Sequence, residues 1–460
     1  MRAPVIVVGA GMGGLTAAAR LAQAGLPVLV LEARAEAGGL ASGFKAGGLS
    51  FDAGPYILLD KPGLAWAFET LGADLPELIK VDEVYQMDAG DGPVGVFSDL
   101  DRTGDGFERI AAGSGRRYRR FVEDTAALYG RLNPLRLISR PSRVAVLRHA
   151  GLAGAWFLSR SLDSVLRATG LPFRVRQALA VWTHVAGQRV EEAPSPLAFV
   201  PALIHRAGAY YPREGIASVP EALERRARAL GVEFRFGRRV KTIWTRDGVV
   251  RGVETADGDR IEARSVVANC SAVETYSRLL DSPPEAVAGR LRRLPLQSAG
   301  VAAYLAVKGR PAPPYLRFHL SGDPASCQLL VQPSVAAPDA ETDGWHPARL
   351  LSPIDHAAVE SSPVEAERRL EQLLSGSWWR SAFDEVRVLQ TRTPRQWGAE
   401  FFLHRDSMNP VMTARFMRMG RVAHRSTSVR GLYLAGSSTH PGQWVSFCAI
   451  SGILAAGFFA

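Results

Sequence analysis

Three glycines near the start of the chain have the spacing of a phosphate-binding turn. Gly9, Gly11 and Gly14 form G-x-G-x-x-G between the apolar run "PVIVV" and an alanine-rich segment. Gly9 permits the turn, Gly11 lets backbone amides approach a pyrophosphate, and Gly14 lets the following helix pack on the strand. A second apolar run, "LPVLVL", ends at Glu32, whose carboxylate can accept from a ribose hydroxyl. This order predicts a dinucleotide site, and the alternative is that the glycines serve packing alone.

Two further glycine segments follow this unit. The first contains Gly38-Gly39, separated from Glu32 by five residues, and the second is "FDAGPYILL" from Phe51 to Leu59. In this order they resemble the FAD-binding segments of the amine oxidase and phytoene desaturase superfamily of flavoproteins. The resemblance implies contact with the FAD diphosphate and ribityl chain for the first segment, and with the flavin for the second. It assigns to the FAD site Arg34, Gly38, Gly39, Leu40, Asp52, Gly54 and Pro55. The alternative is a pair of ordinary glycine turns.

The end of the chain extends the resemblance. "LYLAGSSTHPG", from Leu432 to Gly442, is similar to the C-terminal flavin motif of this superfamily, and no charged residue follows it. The resemblance implies FAD contacts at Gly436, Ser437, Gly442 and Val445, and a backbone contact to the adenine at Val240. We expect the final segment to form a buried helix whose positive end faces the flavin pyrimidine carbonyl. A membrane anchor is the alternative, although the segment is at the lower limit of length for a span.

Two segments favour one branch of the superfamily. "THPG", from Thr439 to Gly442, and the pattern around Tyr211-Pro212 resemble carotenoid desaturases more than amine oxidases. This resemblance implies an FAD-dependent oxidoreductase that dehydrogenates a hydrophobic, carotenoid-like isoprenoid polyene by hydride transfer to the flavin. The alternatives are a flavin-dependent isomerase or saturase of a polyene, and a non-catalytic prenyl-chain binder of the same fold.

His440 is the one titratable side chain in the flavin motif, and histidine suits proton transfer near neutral pH. We therefore predict a catalytic role for it, and a hydrogen bond to a backbone carbonyl that shapes the turn is the alternative. Arg213 and Glu214 are further catalytic candidates, with a solvated surface pair as their alternative. Glu214, Trp444 and Ser446 depart from the family pattern, in which Glu214 and Trp444 are replaced by glycine. The indole of Trp444 adds bulk where a polyene would lie.

The remaining segments predict an α/β fold with two interleaved domains. Residues 1–75, 205–280 and 423–460 form a Rossmann-like FAD-binding domain, a parallel sheet with a β-hairpin crossover. Residues 76–204 and 281–422 form a mixed α+β substrate domain that faces a membrane. Within the first domain we predict a helix over 219–230, a strand over 232–236 and a hairpin turn at Asp247-Gly248.

Charge and cysteine usage indicate the surroundings. The chain has 55 Lys and Arg against 45 Asp and Glu, a net charge of +10, and three cysteines without a CxxC pair. No acidic residue lies between Asp124 and Asp163, where Arg131, Arg136, Arg140, Arg143, Arg148 and Arg160 alternate with apolar residues. We expect this segment to contact anionic lipid; a basic surface helix and a nucleic-acid patch are the alternatives. We predict a cytoplasmic protein, peripheral on the inner face of the cell membrane, that binds neither metal nor nucleic acid.

Overall fold

A computed structural model describes residues 3–185, 187–309, 311–320, 327–419 and 421–459. Its strands are β1 (Val5–Val8), β2 (Val28–Leu31), β3 (Gly43–Ala46), β4 (Leu49–Asp52), β5 (Leu78–Lys80), β6 (Glu83–Asp88), β7 (Val94–Phe97), β8 (Tyr210–Pro212), β9 (Glu233–Arg235), β10 (Val240–Arg246), β11 (Val249–Thr255), β12 (Arg260–Glu262), β13 (Val266–Ala268), β14 (Leu296–Ser298), β15 (Val301–Lys308), β16 (Leu316–Leu320), β17 (Cys327–Val331), β18 (His346–Ser352), β19 (Glu385–Arg392), β20 (Ser407–Pro410) and β21 (Leu432–Leu434).

The helices complete the element order. They are α1 (Met12–Gln23), α2 (Lys61–Leu71), α3 (Leu100–Ile110), α4 (Ser114–Leu132), α5 (Arg143–Ser159), α6 (Leu162–Arg167), α7 (Phe173–Val185), α8 (Val200–Arg206), α9 (Ser218–Ala229), α10 (Ala272–Glu274), α11 (Glu285–Arg292), α12 (His356–Ser361), α13 (Val364–Ser375), α14 (Ser377–Arg380), α15 (Pro394–Phe401), α16 (Ala414–Met419) and α17 (Val445–Ala456).

A five-stranded parallel sheet supports the N-terminal glycine turn. Its order is β21-β13-β1-β2-β9, and all four neighbouring pairs run parallel. Every residue of β1 and β2 is buried, because each face of the sheet is covered. Val5 and Val7 pack among the helices on one face, whereas Ile6 and Val8 pack against β10 and β11 on the other. The predicted Rossmann-like sheet is confirmed.

The crossover between β9 and β13 is a small antiparallel sheet of β10, β11 and β12. Asp247 and Gly248, which join β10 to β11, both have positive φ angles, +54° and +69°. Two such residues are what a tight two-residue hairpin turn requires. The predicted hairpin is therefore confirmed, and α9 begins and ends one residue before the predicted helix.

A seven-stranded sheet, ordered β19-β15-β18-β17-β16-β6-β7, forms the second half of the molecule together with most of the remaining helices. Its strands fall inside the two segments predicted for the substrate domain, and those of the parallel sheet fall inside the other three. The exact domain boundaries stay a prediction. The strands β5, β6 and β7 lie within the first of the two segments predicted for the substrate domain.

The C-terminal helix α17 is packed inside the protein. Thr16 in α1 donates a hydrogen bond to the carbonyl oxygen of Ala449 at 2.8 Å. A Cβ atom at Gly452 would overlap the carbonyl oxygen of Gly13, so the two helices cross in close contact. The predicted buried helix is confirmed by these contacts. In the described part of the chain, no helix combines the length and hydrophobicity that a membrane crossing requires.

Candidate flavin site

One cavity, with a volume of about 660 Å³, brings most of the predicted cofactor residues together. Those that line it are Gly9, Gly11, Glu32, Arg34, Gly38, Gly39, Leu40, Gly54, Pro55, Val240, Gly436, Ser437, Gly442 and Val445. They come from five separate segments of the sequence, which the parallel sheet and its crossover hold side by side. Gly14, Asp52 and His440 are outside this lining.

The glycine turn is closely packed. Gly9 has a φ angle of +95°, and a Cβ atom at Gly14 would overlap the carbonyl oxygen of Gly9, so the predicted packing role of Gly14 is confirmed. A Cβ atom at Gly11 would lie 2.7 Å from Nδ2 of Asn269. The amide of Gly38 donates to the carbonyl of Ala10 at 2.8 Å and brings the second glycine segment onto the turn. The resulting surface presents backbone rather than side chains, as an approaching diphosphate requires.

Glu32 lies at the end of β2 and lines the cavity. Its Oε2 accepts from the amide of Ala10 at 2.6 Å, and its Oε1 accepts from the amide of Arg34 at 2.9 Å. Burial raises the pKa of Glu32, while these two amides and the Arg34 guanidinium oppose the shift. A carboxylate has about four lone-pair sites, so each oxygen can still accept from a ribose hydroxyl.

The segment from Asp52 to Gly54 is held in place by a buried arginine. Arg349 in β18 donates from Nη1 to the carbonyl oxygens of Asp52 and Ala53 and from Nη2 to that of Gly54, at 2.7 to 2.9 Å. The Asp52 carboxylate itself lies behind the cavity wall, where it accepts from the Tyr211 hydroxyl at 2.8 Å. The structure therefore places Asp52 as a support for the flavin-side loop rather than as part of its surface.

The C-terminal turn lies at the other end of the cavity. Ser437 exchanges hydrogen bonds with the Asn409 side chain, at 3.0 and 3.2 Å. Trp444 precedes α17 and stacks on Phe447, with ring centroids 5.0 Å apart and planes at 12°. Both residues line the cavity, as do Val445, Ser446 and Cys448 in the first turn of α17. The indole that departs from the family pattern is thus part of the cavity wall.

Ser446, the second departure, belongs to a buried polar cluster. Its hydroxyl donates to the Asp60 carboxylate at 2.9 Å, and Arg136 contacts the same oxygen at 2.6 Å. Arg136 is therefore turned into the protein, and the prediction that it faces lipid is wrong. The half-buried guanidinium of Arg160 bonds to Ser164 within the chain, and its contact with lipid stays a prediction.

His440 is directed away from the cavity. Its Nε2 donates to the carbonyl oxygen of Leu135 at 3.0 Å, and the side chain is absent from the cavity lining. Burial, with a smaller effect of the Arg421 charge, lowers the pKa of His440 to about 4. The imidazole is neutral near pH 7, and it joins the C-terminal turn to the segment after α4. This geometry favours the turn-shaping alternative, and a catalytic role for His440 stays a prediction.

Arg213 and Glu214 are exposed and do not line the cavity. Arg213 pairs with Glu77 at 2.8 Å and with Asp339 at 2.9 Å. It thereby joins the loop before α9 to two other surface segments. Arg213 is therefore a surface residue in ion pairs, as the alternative to a catalytic role expected. Its partners are Glu77 and Asp339 and not the neighbouring Glu214.

The cavity continues from the flavin turns into an apolar chamber. Helical segments on one side contribute Tyr129, Trp182, Leu197, Phe199 and Leu203, and the loop after β20 contributes Met412 on another. Such walls exclude water and suit an elongated hydrocarbon better than a polar metabolite.

A parallel sheet with a glycine turn, an acid at the end of β2 and an apolar chamber beside them define a flavin-binding oxidoreductase fold. Comparison with known proteins identifies the family: residues 12–457 match the flavin-containing amine oxidoreductases, and the chain belongs to that family.

The chain is similar to two curated relatives over nearly all of its length. It is 28% identical to the zeta-carotene-forming phytoene desaturase of Myxococcus xanthus, covering 98% of this chain and 92% of the relative. It is 24% identical to the lycopene-forming phytoene desaturase of Pantoea ananas, covering 96% of each. The solved structure of an oxidoreductase from Methanosarcina mazei superposes with a TM-score of 0.67 at 18% identity, covering 98% of this chain and 99% of that one. This last similarity concerns the fold.

FAD is the cofactor of this chain, and the residues present fit it. No side chain fits at Gly54 or Gly436, where the cofactor must approach the backbone. A Cβ atom at Gly54 would lie 2.5 Å from the carbonyl oxygen of Leu40, and a Cβ atom at Gly436 would lie 2.6 Å from Oδ1 of Asn269. Glu32 would hold the ribose, the turn at Gly9–Gly11 the diphosphate, and the first turn of α17 the flavin.

Three residues of the site were missed from the sequence. Asn269 follows β13 and contacts both glycine turns, and a polar residue at the carboxyl end of a parallel strand is a usable signal. Arg349 interrupts an apolar strand, which also could have indicated a buried role. Arg421 lines the cavity from a loop of no regular pattern, and no sequence signal marks it.

Proposed function

We propose that this chain is an FAD-dependent desaturase of a hydrophobic, carotenoid-like polyene. One observation carries the proposal: the flavin turns and an apolar chamber of side chains such as Leu197, Phe199 and Leu203 belong to one continuous cavity. A long apolar chain in that chamber would lie beside the flavin. The similarity to two phytoene desaturases supports the same substrate class.

Oxidised FAD supplies the hydride acceptor that removal of two hydrogens from a saturated C–C bond requires. The chain's own residues orient the polyene and exclude water from the reacting carbons. Trp444 and Phe447 bound the chamber next to the flavin turn and restrict how a chain can lie there. The side chain of His440 does not line the chamber and donates to the Leu135 carbonyl instead.

The alternatives differ in their products. An isomerase would return a product of unchanged mass, a saturase would need reduced FAD, and a prenyl-chain binder would need no flavin chemistry. The packed glycine turn with Glu32 beside it supports a flavin-using enzyme over the binder. The relatives' reactions favour desaturation over the other two.

The proposal includes peripheral contact with a membrane, which is where such a substrate dissolves. Ten large hydrophobic side chains are exposed in the described residues, and six of them lie between 138 and 173. We call the relevant part of this region the α5 surface, formed by Arg140, Arg143, Val144, Leu147, Arg148, Leu152 and Trp156. Leu152 and Trp156 are 81% and 68% exposed, and all three arginines are exposed. Apolar side chains between arginines are typical of helices that lie in an anionic lipid interface.

The α5 surface lies next to the substrate chamber. On the inner side of α5, Phe157 stacks on Phe199 with centroids 5.3 Å apart, and Tyr129 meets Phe199 edge-on at 5.5 Å. Phe199 and Tyr129 both line the cavity. The α5 segment is broken at Gly151, with the arginines before the break and Phe157 after it. A segment that touches lipid outside and the chamber wall inside would give a polyene a short path from the membrane. Contact on the inner face of the cell membrane stays part of this proposal.

The test is expression of the protein in cells that accumulate individual polyenes. The pigments are separated by chromatography and their masses are determined by mass spectrometry. We expect a product two or more hydrogens lighter than the supplied polyene, together with stoichiometric FAD in the purified protein. Cells that carry the empty vector are the control. A product of equal or greater mass would replace desaturation by isomerisation or saturation, and a colourless protein would favour the prenyl-chain binder.

A further inference from the structure

A cationic side chain without an ionic partner lies at the flavin end of the cavity. Arg421 lines the cavity and donates from Nη1 to the carbonyl oxygen of Ser437 at 3.3 Å. Its Nη2 would lie 3.2 Å from a Cβ atom at Gly442, so the guanidinium is in contact with the flavin turn. Among the described residues, no carboxylate forms an ion pair with it within 4.0 Å, and its buried Nε has no hydrogen-bond partner. Isolated buried charges are costly unless they serve an anion.

The surroundings of Arg421 strengthen the same positive field. Helix α17 begins at Val445 with no acidic residue in its first turn and no side-chain cap, so its N-terminal partial charge adds to that of Arg421. The Asp60 carboxylate, which accepts from Ser446 in this turn, is itself paired with Arg136. The neighbouring Cys448 thiol stays neutral, because burial raises its pKa to about 12. His440, also nearby, is neutral near pH 7. Burial lowers the pKa of Arg421 to about 10, which still leaves it protonated near neutral pH.

We infer that Arg421 is an electrostatic partner of the flavin, which stabilises the negative charge that the pyrimidine ring carries when the flavin is reduced. The inference rests on FAD binding at the turn formed by Gly436 to Val445, as assigned above. A reduced flavin that has accepted a hydride carries one negative charge more than its oxidised form, so a fixed cation beside it favours reduction. Arg421 and the N-terminus of α17 act together on this charge. The residue thus sets how strong an oxidant the bound flavin is.

The test measures the flavin itself, in purified holoenzyme without substrate. Arg421→Met removes the charge and keeps much of the volume, Arg421→Gln keeps a donor for the Ser437 carbonyl, and Arg421→Lys keeps the charge. The measurements are FAD content, the two-electron midpoint potential, and the affinity of the flavin for sulfite, an anion that adds to it. We expect both uncharged variants to bind sulfite about tenfold more weakly and to lower the potential by about 30 mV, the equivalent of tenfold for two electrons. We expect Arg421→Lys to stay near the wild type.

Each possible result either supports or overturns the electrostatic role of Arg421. Unchanged potential and sulfite affinity in FAD-loaded Arg421→Met or Arg421→Gln would overturn the inference. Loss of FAD from both uncharged variants, with FAD retained in Arg421→Lys, would support action of the charge on the cofactor. Equal loss of FAD from all three would overturn it, because packing or geometry would then explain the residue. None of these results depends on the polyene, so the proposed desaturation can fail while this inference stands.

Discussion

Trp444 stands where the family resemblance implies glycine, and it forms part of the wall beside the flavin turn. It is half-buried and stacked on Phe447, so it can act both as a limit on substrate position and as a packing residue. The cavity contact favours the first role. An indole at this point narrows the chamber, which would make the enzyme accept a different or less extended end of a polyene than its relatives do.

We predict that Trp444→Gly widens the product range on at least two polyenes while FAD content is unchanged. The reason is that the change removes volume beside the substrate and leaves the diphosphate turn alone, and glycine is tolerated before a helix. Chromatography of products, together with the melting temperature, checks this. Trp444→Phe keeps an aromatic ring against Phe447 and is the control, with products close to those of the wild type.

A packing role for Trp444 predicts a different result. If the indole serves packing alone, its removal destabilises the protein by about 3–5 kcal/mol and leaves the product profile as it was. A large fall in melting temperature with unchanged products would therefore show that Trp444 has no role in specificity.

At the scale of elements, the crossing of α1 and α17 connects the two ends of the FAD site. The glycine turn precedes α1, and the flavin turn precedes α17. Gly452 allows the close approach, since a Cβ atom there would overlap the Gly13 carbonyl and the Thr16 hydroxyl. The spacing between the two turns depends on this contact.

We predict that Gly452→Val destabilises the protein by about 1–3 kcal/mol and lowers its FAD content, because overpacking would force α17 away from α1. Thermal unfolding and the flavin absorbance of purified protein measure both effects. Gly457→Ala is the control, since Gly457 is exposed and a Cβ there meets nothing closer than 3.4 Å. Full FAD occupancy and unchanged stability in Gly452→Val would contradict the proposed coupling.

The elements of the FAD site could be predicted from sequence because their signals are local. A glycine turn, an acid after a strand and a two-residue hairpin each lie within a few residues, and β1, β2, α1 and the β10–β11 hairpin match the expectations. A catalytic role is predicted for His440 because the residue stands in a recognisable sequence motif. The carbonyl oxygen to which it donates belongs to Leu135, 305 positions away in the sequence. Arg349 and Arg421 were missed for the same reason: their partners are brought to them by the tertiary fold.

At the scale of the whole molecule, charge and exposed apolar surface coincide in one region. The net charge of +10 has no recognisable nucleic-acid module to explain it. The α5 surface combines three exposed arginines with Val144, Leu152 and Trp156, each more than 60% exposed. Substrate class and surface chemistry therefore agree, since a polyene resides in the bilayer that such a surface would bind.

We predict that the joint variant Arg140→Ser, Arg143→Ser and Arg148→Ser binds anionic liposomes about 100-fold more weakly than the wild type. Each basic residue near an anionic surface contributes about 1 kcal/mol, and three together account for a change of about this size. Co-sedimentation with vesicles of mixed neutral and anionic lipid measures it, and added salt should weaken wild-type binding because the attraction is screened. The matched control changes Arg246, Arg251 and Arg264 to Ser, which alters the net charge equally at exposed positions on or next to the β10–β12 sheet. An equal loss of binding in both triple variants would show that the effect depends on net charge alone and not on these positions. Equal binding of the wild type to neutral and anionic vesicles would refute the role of these arginines.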